Sequence, residues 1–133
     1  MNVSERIMTF LAECGVKHIF TVSGGGSIFL DDALGRCKEI DYICCHHEQA
    51  VSMATEAYAR TNDTLGVSLV TTGPGGTNAI TGIVGAWIDS VPTLTMSGQV
   101  FLEQTIGNGN LRQLGIQEIN IVDIVKPVTK YSV

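Results

Sequence analysis

Apolar positions along the chain alternate between helical spacing and the short runs that are typical of strands. Val3, Ile7, Phe10 and Leu11 recur at helical spacing, and residues 17–22 are then predicted to form a strand. The same reasoning predicts further helices over about 28–36, 48–60, 77–89 and 118–124, and strands over 41–45, 66–71 and 93–96. Because strands and helices alternate with short connections, we expect a three-layer α/β domain over residues 1–133, with a central, mainly parallel sheet flanked by helices on both faces. The pattern leaves the order of the strands open.

The junction between the second strand and the third helix carries a carboxylate. Residues 42–45 are apolar or aromatic and predict a buried strand, and Glu48 stands where the helical period begins. In open α/β sheets, ligands bind at the carboxyl ends of the strands, which is where this residue falls. Two interpretations stay open from the residues alone: Glu48 is an ordinary acid in a first helical turn, favoured by the helix dipole, or it belongs to a binding site.

Composition narrows the class of protein. Charged residues make up only 16% of the chain, against roughly 25% in ordinary soluble domains, so we expect another domain or subunit to cover part of the surface. The net charge of −5 without a basic cluster argues against a nucleic-acid partner. The longest apolar run, 79–88, is too short to cross a membrane. The cysteines show no CxxC or zinc pattern, so we expect reduced, buried side chains and a cytoplasmic protein.

Two glycine-rich loops each follow a strand and open a helix, a geometry that can hold an anion on backbone N–H groups. Neither loop is a Walker A motif, because no Gly-Lys-Ser/Thr follows. Gly24 and Gly26 match the start of a dinucleotide fingerprint, but Phe29 replaces its third glycine, and the loop 73–75 is followed by Asn78 instead. Both loops could also be tight turns that need glycine for their backbone alone.

The histidine pair and the C-terminal third give weaker signals. His46 and His47 are adjacent on a predicted strand end, so they point to opposite sides, and we expect one to be packed while the other faces the pocket. Residues 101–113, which include Gly107-Asn108-Gly109-Asn110, predict a long loop, and such loops are usually functional. The chain stops at Val133 in apolar sequence, from which we expect a fragment of a longer protein.

Several motifs, in order and at matching spacing, resemble one enzyme family. His47-Glu48-Gln49 followed by 56–60 resembles the "RHEQ…AEGYAR" segment of thiamine-diphosphate enzymes of the acetolactate synthase type, and 72–78 is similar to their "TSGPGATN". Further similar segments are 89–92 ("DSIP"), 97–100 ("TGQV"), 117–118 ("FQE") and 126–130 ("PVTKH"). The resemblance implies that residues 1–133 form a single thiamine-diphosphate pyrimidine-binding domain.

The resemblance also implies roles for particular residues. Glu48 and Gln117 would be catalytic, with Glu48 hydrogen-bonded to the ring nitrogen N1′ of the cofactor and Gln117 facing the reacting centre. Proton exchange at that nitrogen needs a desolvated carboxyl, and the apolar strand before Glu48 is expected to bury it. The cofactor-binding residues implied are Glu48, Gly73, Pro74, Gly75 and Asn78, the substrate-side loop is Gly24, Gly25 and Gly26, and no metal ligand is implied in this chain.

The activity implied is decarboxylation of a 2-oxo acid and ligation of the resulting carbanion to a second carbonyl compound. The sequence departs from the synthases on the substrate side, where "GYPGGA" has become residues 21–26 and the Phe of "FQE" is Ile116. Alternatives are therefore a thiamine-diphosphate decarboxylase or lyase acting on another 2-oxo acid, an aldehyde or a sugar, and a non-catalytic nucleotide-binding α/β domain.

The family's diphosphate and Mg²⁺ ligands lie in a "GDG…NN" motif of a separate domain, and this sequence does not contain that motif. The resemblance therefore implies a diphosphate-binding domain as partner, a homodimer or higher oligomer, and FAD as a possible further cofactor of the full-length enzyme. We expect the isolated 133-residue chain to be inactive.

Overall fold

The computed structural model describes residues 1–107 and 109–133, so Asn108 of the predicted long loop lies outside the described residues. The strands are β1 (His18–Thr21), β2 (Asp41–Cys44), β3 (Gly66–Val70) and β4 (Thr93–Ser97). The helices are α1 (Val3–Glu13), α2 (Ile28–Arg36), α3 (Glu48–Asn62), α4 (Pro74–Asn78), α5 (Ile80–Ile88) and α6 (Ile121–Val125). The helix predicted over 77–89 therefore begins earlier and is divided at Ala79.

All four strands are parallel, in the order β2-β1-β3-β4. β1 is central: Ile19 lies beside Tyr42 of β2 on one side and beside Val67 of β3 on the other. The chain therefore leaves β1 in one direction to form β2 and returns past it to form β3. This reversal creates a crevice at the carboxyl ends of β1 and β3, which is the usual ligand position in such sheets.

Helices cover both faces of the sheet. On one face, Met8 of α1 and Leu34 of α2 pack with Ile19, Val67 and Leu69 of the central strands. A second cluster on the α3 and α5 side contains Phe20, Val51, Val70 and Ala79, with Ala54, Tyr58 and Ile83 packed against it. The predicted three-layer α/β fold is confirmed.

Helices α3 and α5 approach each other closely. A Cβ atom built on Gly82 would lie only 2.6 Å from the carbonyl carbon of Ser52, so a glycine is required at this crossing. Arg60 of α3 adds an ion pair to Asp89, just beyond α5, at 2.6 Å. These contacts therefore fix the positions of α3 and α5 relative to each other.

The burial predicted for the second strand is wrong. β2 is an edge strand that pairs only with β1, and Tyr42 and Ile43 are 55% and 40% exposed. An apolar run has the same appearance in sequence whether the strand lies at the centre or at the edge of a sheet. The cysteines also depart from the prediction: Cys14 and Cys44 are exposed, and Cys37 and Cys45 are only partly buried.

The C-terminal third contains less regular structure than the rest of the chain. The helix predicted over 118–124 starts only at Ile121, where the Asn120 side chain accepts a hydrogen bond from the Asp123 N–H at 3.2 Å. A 3₁₀ turn, Lys126–Val128, follows. Within the described part of the chain, no helix combines the length and hydropathy needed to cross a bilayer.

Candidate active site

The loops that leave three strands meet at the carboxyl edge of the sheet. The Gly26 N–H, in the loop after β1, donates to Thr71 Oγ1, just after β3, at 3.0 Å. A Cβ on Gly98, directly after β4, would lie 2.5 Å from the Gly26 carbonyl carbon, so these two backbones are in direct contact. The two glycine-rich loops, which are far apart in sequence, are thus brought together at this edge.

Glu48 and Asn78 form the polar centre of this edge. Glu48 is the first residue of α3 and Asn78 the last of α4, and Asn78 Nδ2 donates to Glu48 Oε2 at 2.9 Å. The Glu48 side chain is partly exposed, so within this chain the expected burial of its carboxyl is only partial. The start of α3 is fixed by His47, whose Nδ1 accepts from the Gln49 N–H at 3.0 Å.

Two glycines of the second loop keep space open around that pair. A Cβ on Gly75 would lie 2.7 Å from Thr71 Cγ2 and 3.6 Å from Glu48 Oε1. Gly73 has φ +63° and ψ −116°, a backbone conformation that favours glycine, and a Cβ there would overlap the Gln117 carbonyl oxygen. Pro74 is the first residue of α4. The resulting site combines the Glu48 carboxylate, the Asn78 side-chain amide and the glycine backbone of the loop.

Gln117 reaches this edge through its backbone. Its carbonyl oxygen packs on Gly73 and its φ is +61°, while its side chain is exposed. The structure therefore brings Glu48, Gly75 and Asn78 together and places the Gln117 backbone beside Gly73. Among the described residues, no hydrogen bond joins the Gln117 side chain to Glu48, and the catalytic role of Gln117 stays a prediction.

Glu118 holds the loop that precedes it, a role that the sequence analysis missed. Its carboxylate accepts hydrogen bonds from the backbone N–H groups of Ile106 at 2.6 Å, Leu114 at 3.2 Å and Gly115 at 3.1 Å. These bonds tie both ends of the loop to the residue next to Gln117. The Ile106 N–H above all, and then those of Gly115 and Leu114, lower the pKa of Glu118 against the opposing effect of desolvation.

We expect Glu118→Gln to loosen this loop at neutral pH. A carboxyl whose pKa is lowered on folding contributes stability above its unfolded pKa, and this is lost as pH falls through the folded pKa. The protection of the Ile106 amide against hydrogen exchange should therefore fall several-fold in the variant at pH 7, and the difference from the parent should disappear in acid. Glu103→Gln, an exposed carboxylate in the same segment, is the control. Equal protection in parent and variant at pH 7 would contradict this role.

The histidine prediction is partly wrong. Both His46 and His47 are exposed, because β2 is an edge strand, so neither is packed, and His47 serves as the cap of α3. His18, on β1, is partly buried, with Nδ1 2.8 Å from the Tyr58 hydroxyl. Among residues 1–107 and 109–133, no three His, Cys, Asp or Glu side chains are arranged to hold a metal ion.

The loop 24–26, which is expected on the substrate side, has an anchor that the sequence analysis also missed. Asp31 of α2 accepts hydrogen bonds from the Gly24 N–H at 3.3 Å and from Ser27 Oγ at 2.8 Å. An acid in a first helical turn gives no sign of such a role in sequence, because first turns are commonly acidic.

The fold and this edge define an α/β domain with a ligand site at the point where the strand order reverses, centred on a carboxylate. The residues present fit the aminopyrimidine of thiamine diphosphate. The Glu48 carboxyl can share a proton with a ring nitrogen, and the missing side chain of Gly75 leaves room beside its Oε1.

Comparison with known proteins agrees with this assignment. A family model described as "Thiamine pyrophosphate enzyme, N-terminal TPP binding domain" matches residues 1–124. The chain belongs to this family.

Its relatives include acetolactate synthase large subunits. The chain is 40% identical to that of Lactococcus lactis over 97% of its own length, and 40% identical to the isozyme 3 large subunit of Escherichia coli over 99%. It is 35% identical to acetolactate synthase 2, chloroplastic, of Zea mays over 97%. It spans 21%, 22% and 19% of the length of these three relatives, respectively.

Proposed function

We propose that the chain is the pyrimidine-binding domain of a longer thiamine-diphosphate enzyme that decarboxylates a 2-oxo acid and joins the product to a second carbonyl compound. The observation that carries this proposal is the Glu48–Asn78 pair at the reversal of strand order. The similarity to acetolactate synthase large subunits over nearly the whole chain supports the reaction class. Residues 1–133 then form one domain of that enzyme.

In this proposal, Glu48 holds and exchanges a proton at N1′ of the cofactor. Asn78 occupies Oε2 and so fixes the orientation of the carboxylate, which leaves Oε1, beside Gly75, for the ring. When bound, thiamine diphosphate supplies a thiazolium carbon that adds to the carbonyl of the 2-oxo acid. Gly73, Pro74 and Gly75 line the cofactor side of the crevice.

The substrate side is formed by other residues of the same edge. Gln117 lies next to the loop tied by Glu118 and would face the reacting centre, and Gly24, Gly25 and Gly26 form the opposite wall. Of these three glycines, only Gly25 has open space where a Cβ would be. Substrate therefore has room over the middle of this loop.

In the proposed enzyme, the surface of another domain or subunit completes the site. The Glu48 side chain is partly exposed here, whereas proton exchange at N1′ is served best by a carboxyl excluded from water. The large exposed fractions of Ile88 (72%) and Phe101 (62%) support a covering domain or subunit. In the proposed enzyme, a diphosphate-binding domain holds Mg²⁺ and the diphosphate, the assembly is a homodimer or higher oligomer in the cytoplasm, and FAD is a further cofactor.

The test uses the full-length protein with thiamine diphosphate, Mg²⁺ and pyruvate. We expect release of CO₂ and formation of a product with a new carbon–carbon bond, and no CO₂ from residues 1–133 alone. Release of CO₂ with only an aldehyde as product would favour the decarboxylase alternative. Absence of thiamine diphosphate binding, together with binding of NADH, would contradict the proposal in favour of a nucleotide-binding domain.

A further inference from the structure

The carboxylate of Asp31 holds the loop 24–26, which follows β1. Asp31 Oδ2 accepts from the Ser27 hydroxyl at 2.8 Å and from the Gly24 N–H at 3.3 Å, so a single oxygen joins the start of the loop, the start of α2 and the first turn of that helix. The Gly24 carbonyl oxygen, 3.1 Å from the same hydroxyl, is a second and more distant acceptor for its single proton. The entry to the loop is thereby fixed to α2.

The remaining sides of this loop are fixed by close packing. A Cβ on Gly24 would lie 2.7 Å from Thr71 Cγ2, and the Gly26 backbone is in contact with Gly98. Thr71 and Gly98 are rigid supports because they directly follow β3 and β4. Asp31 is therefore the one side-chain anchor that α2 supplies to a loop otherwise fixed by the sheet.

The second carboxylate oxygen makes this anchor costly. Asp31 Oδ1 is buried and has no hydrogen-bond partner among the described residues, and the same is true of Thr21 Oγ1 and Thr72 Oγ1. A buried polar atom without a partner costs free energy, and such atoms call for an explanation other than packing. An apolar residue at position 31 would avoid this cost, so the polar side chain is explained by the placement of the loop and not by packing.

We propose that Asp31 is a positioning residue that sets the substrate-side wall of the active site and thereby the affinity for the 2-oxo acid. This inference rests on the proposed function. Asp31 acts through the Gly24 N–H and Ser27 and does not touch Glu48 or Asn78, which are held by α3 and α4. Its loss should therefore affect substrate binding and leave cofactor binding unchanged.

The first part of the test uses NMR on the full-length protein to measure the backbone order of the loop 24–26. In Asp31→Ala, we expect the backbone order parameters of Gly24 and Gly25 to fall from about 0.85 toward 0.6. Asp31→Asn keeps an acceptor oxygen and should restore most of the order. Asp32→Ala is the matched control, because Asp32 lies next along α2, is exposed and, among the described residues, pairs only with Arg36. Unchanged order in Asp31→Ala would overturn the inference.

The second arm measures turnover by the full-length protein. We expect KM for the 2-oxo acid to rise about tenfold in Asp31→Ala, with kcat and the Kd for thiamine diphosphate within twofold of the parent, and Asp31→Asn to recover KM. A parallel loss of kcat and cofactor affinity would show a general structural role and would overturn the inference. An inactive parent enzyme would instead contradict the proposed function, whereas an active parent with unchanged KM in Asp31→Ala would contradict only the role of Asp31.

Discussion

Replacement of Glu48 by glutamine is expected to slow proton exchange at the thiazolium C2 of the bound cofactor by about 10²–10⁴-fold. Glutamine has nearly the same shape as glutamate, so it can still accept from Asn78 and pack at the start of α3. It cannot take up and release a proton at N1′. Fold and cofactor affinity should therefore change little while the exchange reaction is nearly lost.

The measurement is H/D exchange at C2 in the full-length protein with thiamine diphosphate and Mg²⁺, because this step precedes all reactions of the substrate. Glu13→Gln is the control: Glu13 ends α1, before β1, and its exposed pair with Arg6 contributes little. Exchange as fast in Glu48→Gln as in the parent would mean that Glu48 is only an acid in a first helical turn.

The second large effect is a loss of stability, which we expect when Gly73 is replaced. Gly73→Ala should lower the free energy of unfolding by roughly 3 kcal/mol, because the added Cβ meets both a disfavoured backbone conformation and the Gln117 carbonyl oxygen. Either the loop or the segment around Gln117 has to move. Both belong to the proposed site, so activity should fall as well.

Urea denaturation measures this loss, with a control that separates its two causes. Gly15 also has a positive φ, +88°, but a Cβ there would meet nothing within 4 Å. Gly15→Ala should therefore cost only the backbone strain, about 1 kcal/mol. Similar losses in the two variants would show that the contact between Gly73 and Gln117 yields at little cost.

The periodicity of the sequence predicts most of this fold. The start of α3 at Glu48 and the bounds of α2 are as expected, since a change of period marks each of them. The exposure of β2 was not predictable, because an edge position depends on which strands are neighbours, and no local pattern carries that information. The division of the predicted fourth helix at Ala79 likewise has no signal in its composition.

The site was less accessible to sequence reasoning than the fold. From the residues alone, Glu48 could be an ordinary acid at a helix terminus or part of a binding site. Only the resemblance to a family assigns it a binding partner, the ring nitrogen N1′ of the cofactor. The hydrogen bond from Asn78 joins positions 30 residues apart, so it depends on the strand order, which the sequence did not reveal. The anchors Asp31 and Glu118 were missed because each bonds backbone groups whose location only the folded chain defines.

The close crossing of α3 and α5 restricts how this protein can evolve. Any side chain at Gly82 would have to push Ser52 away by about 1 Å to reach an ordinary contact distance. Because α3 begins with Glu48 and α5 directly follows the segment that ends at Asn78, that displacement would be transmitted to the polar pair. A misplacement of about 1 Å is enough to cost on the order of 10²-fold in rate. Natural selection for catalysis would then act on position 82 as well as on the carboxylate itself.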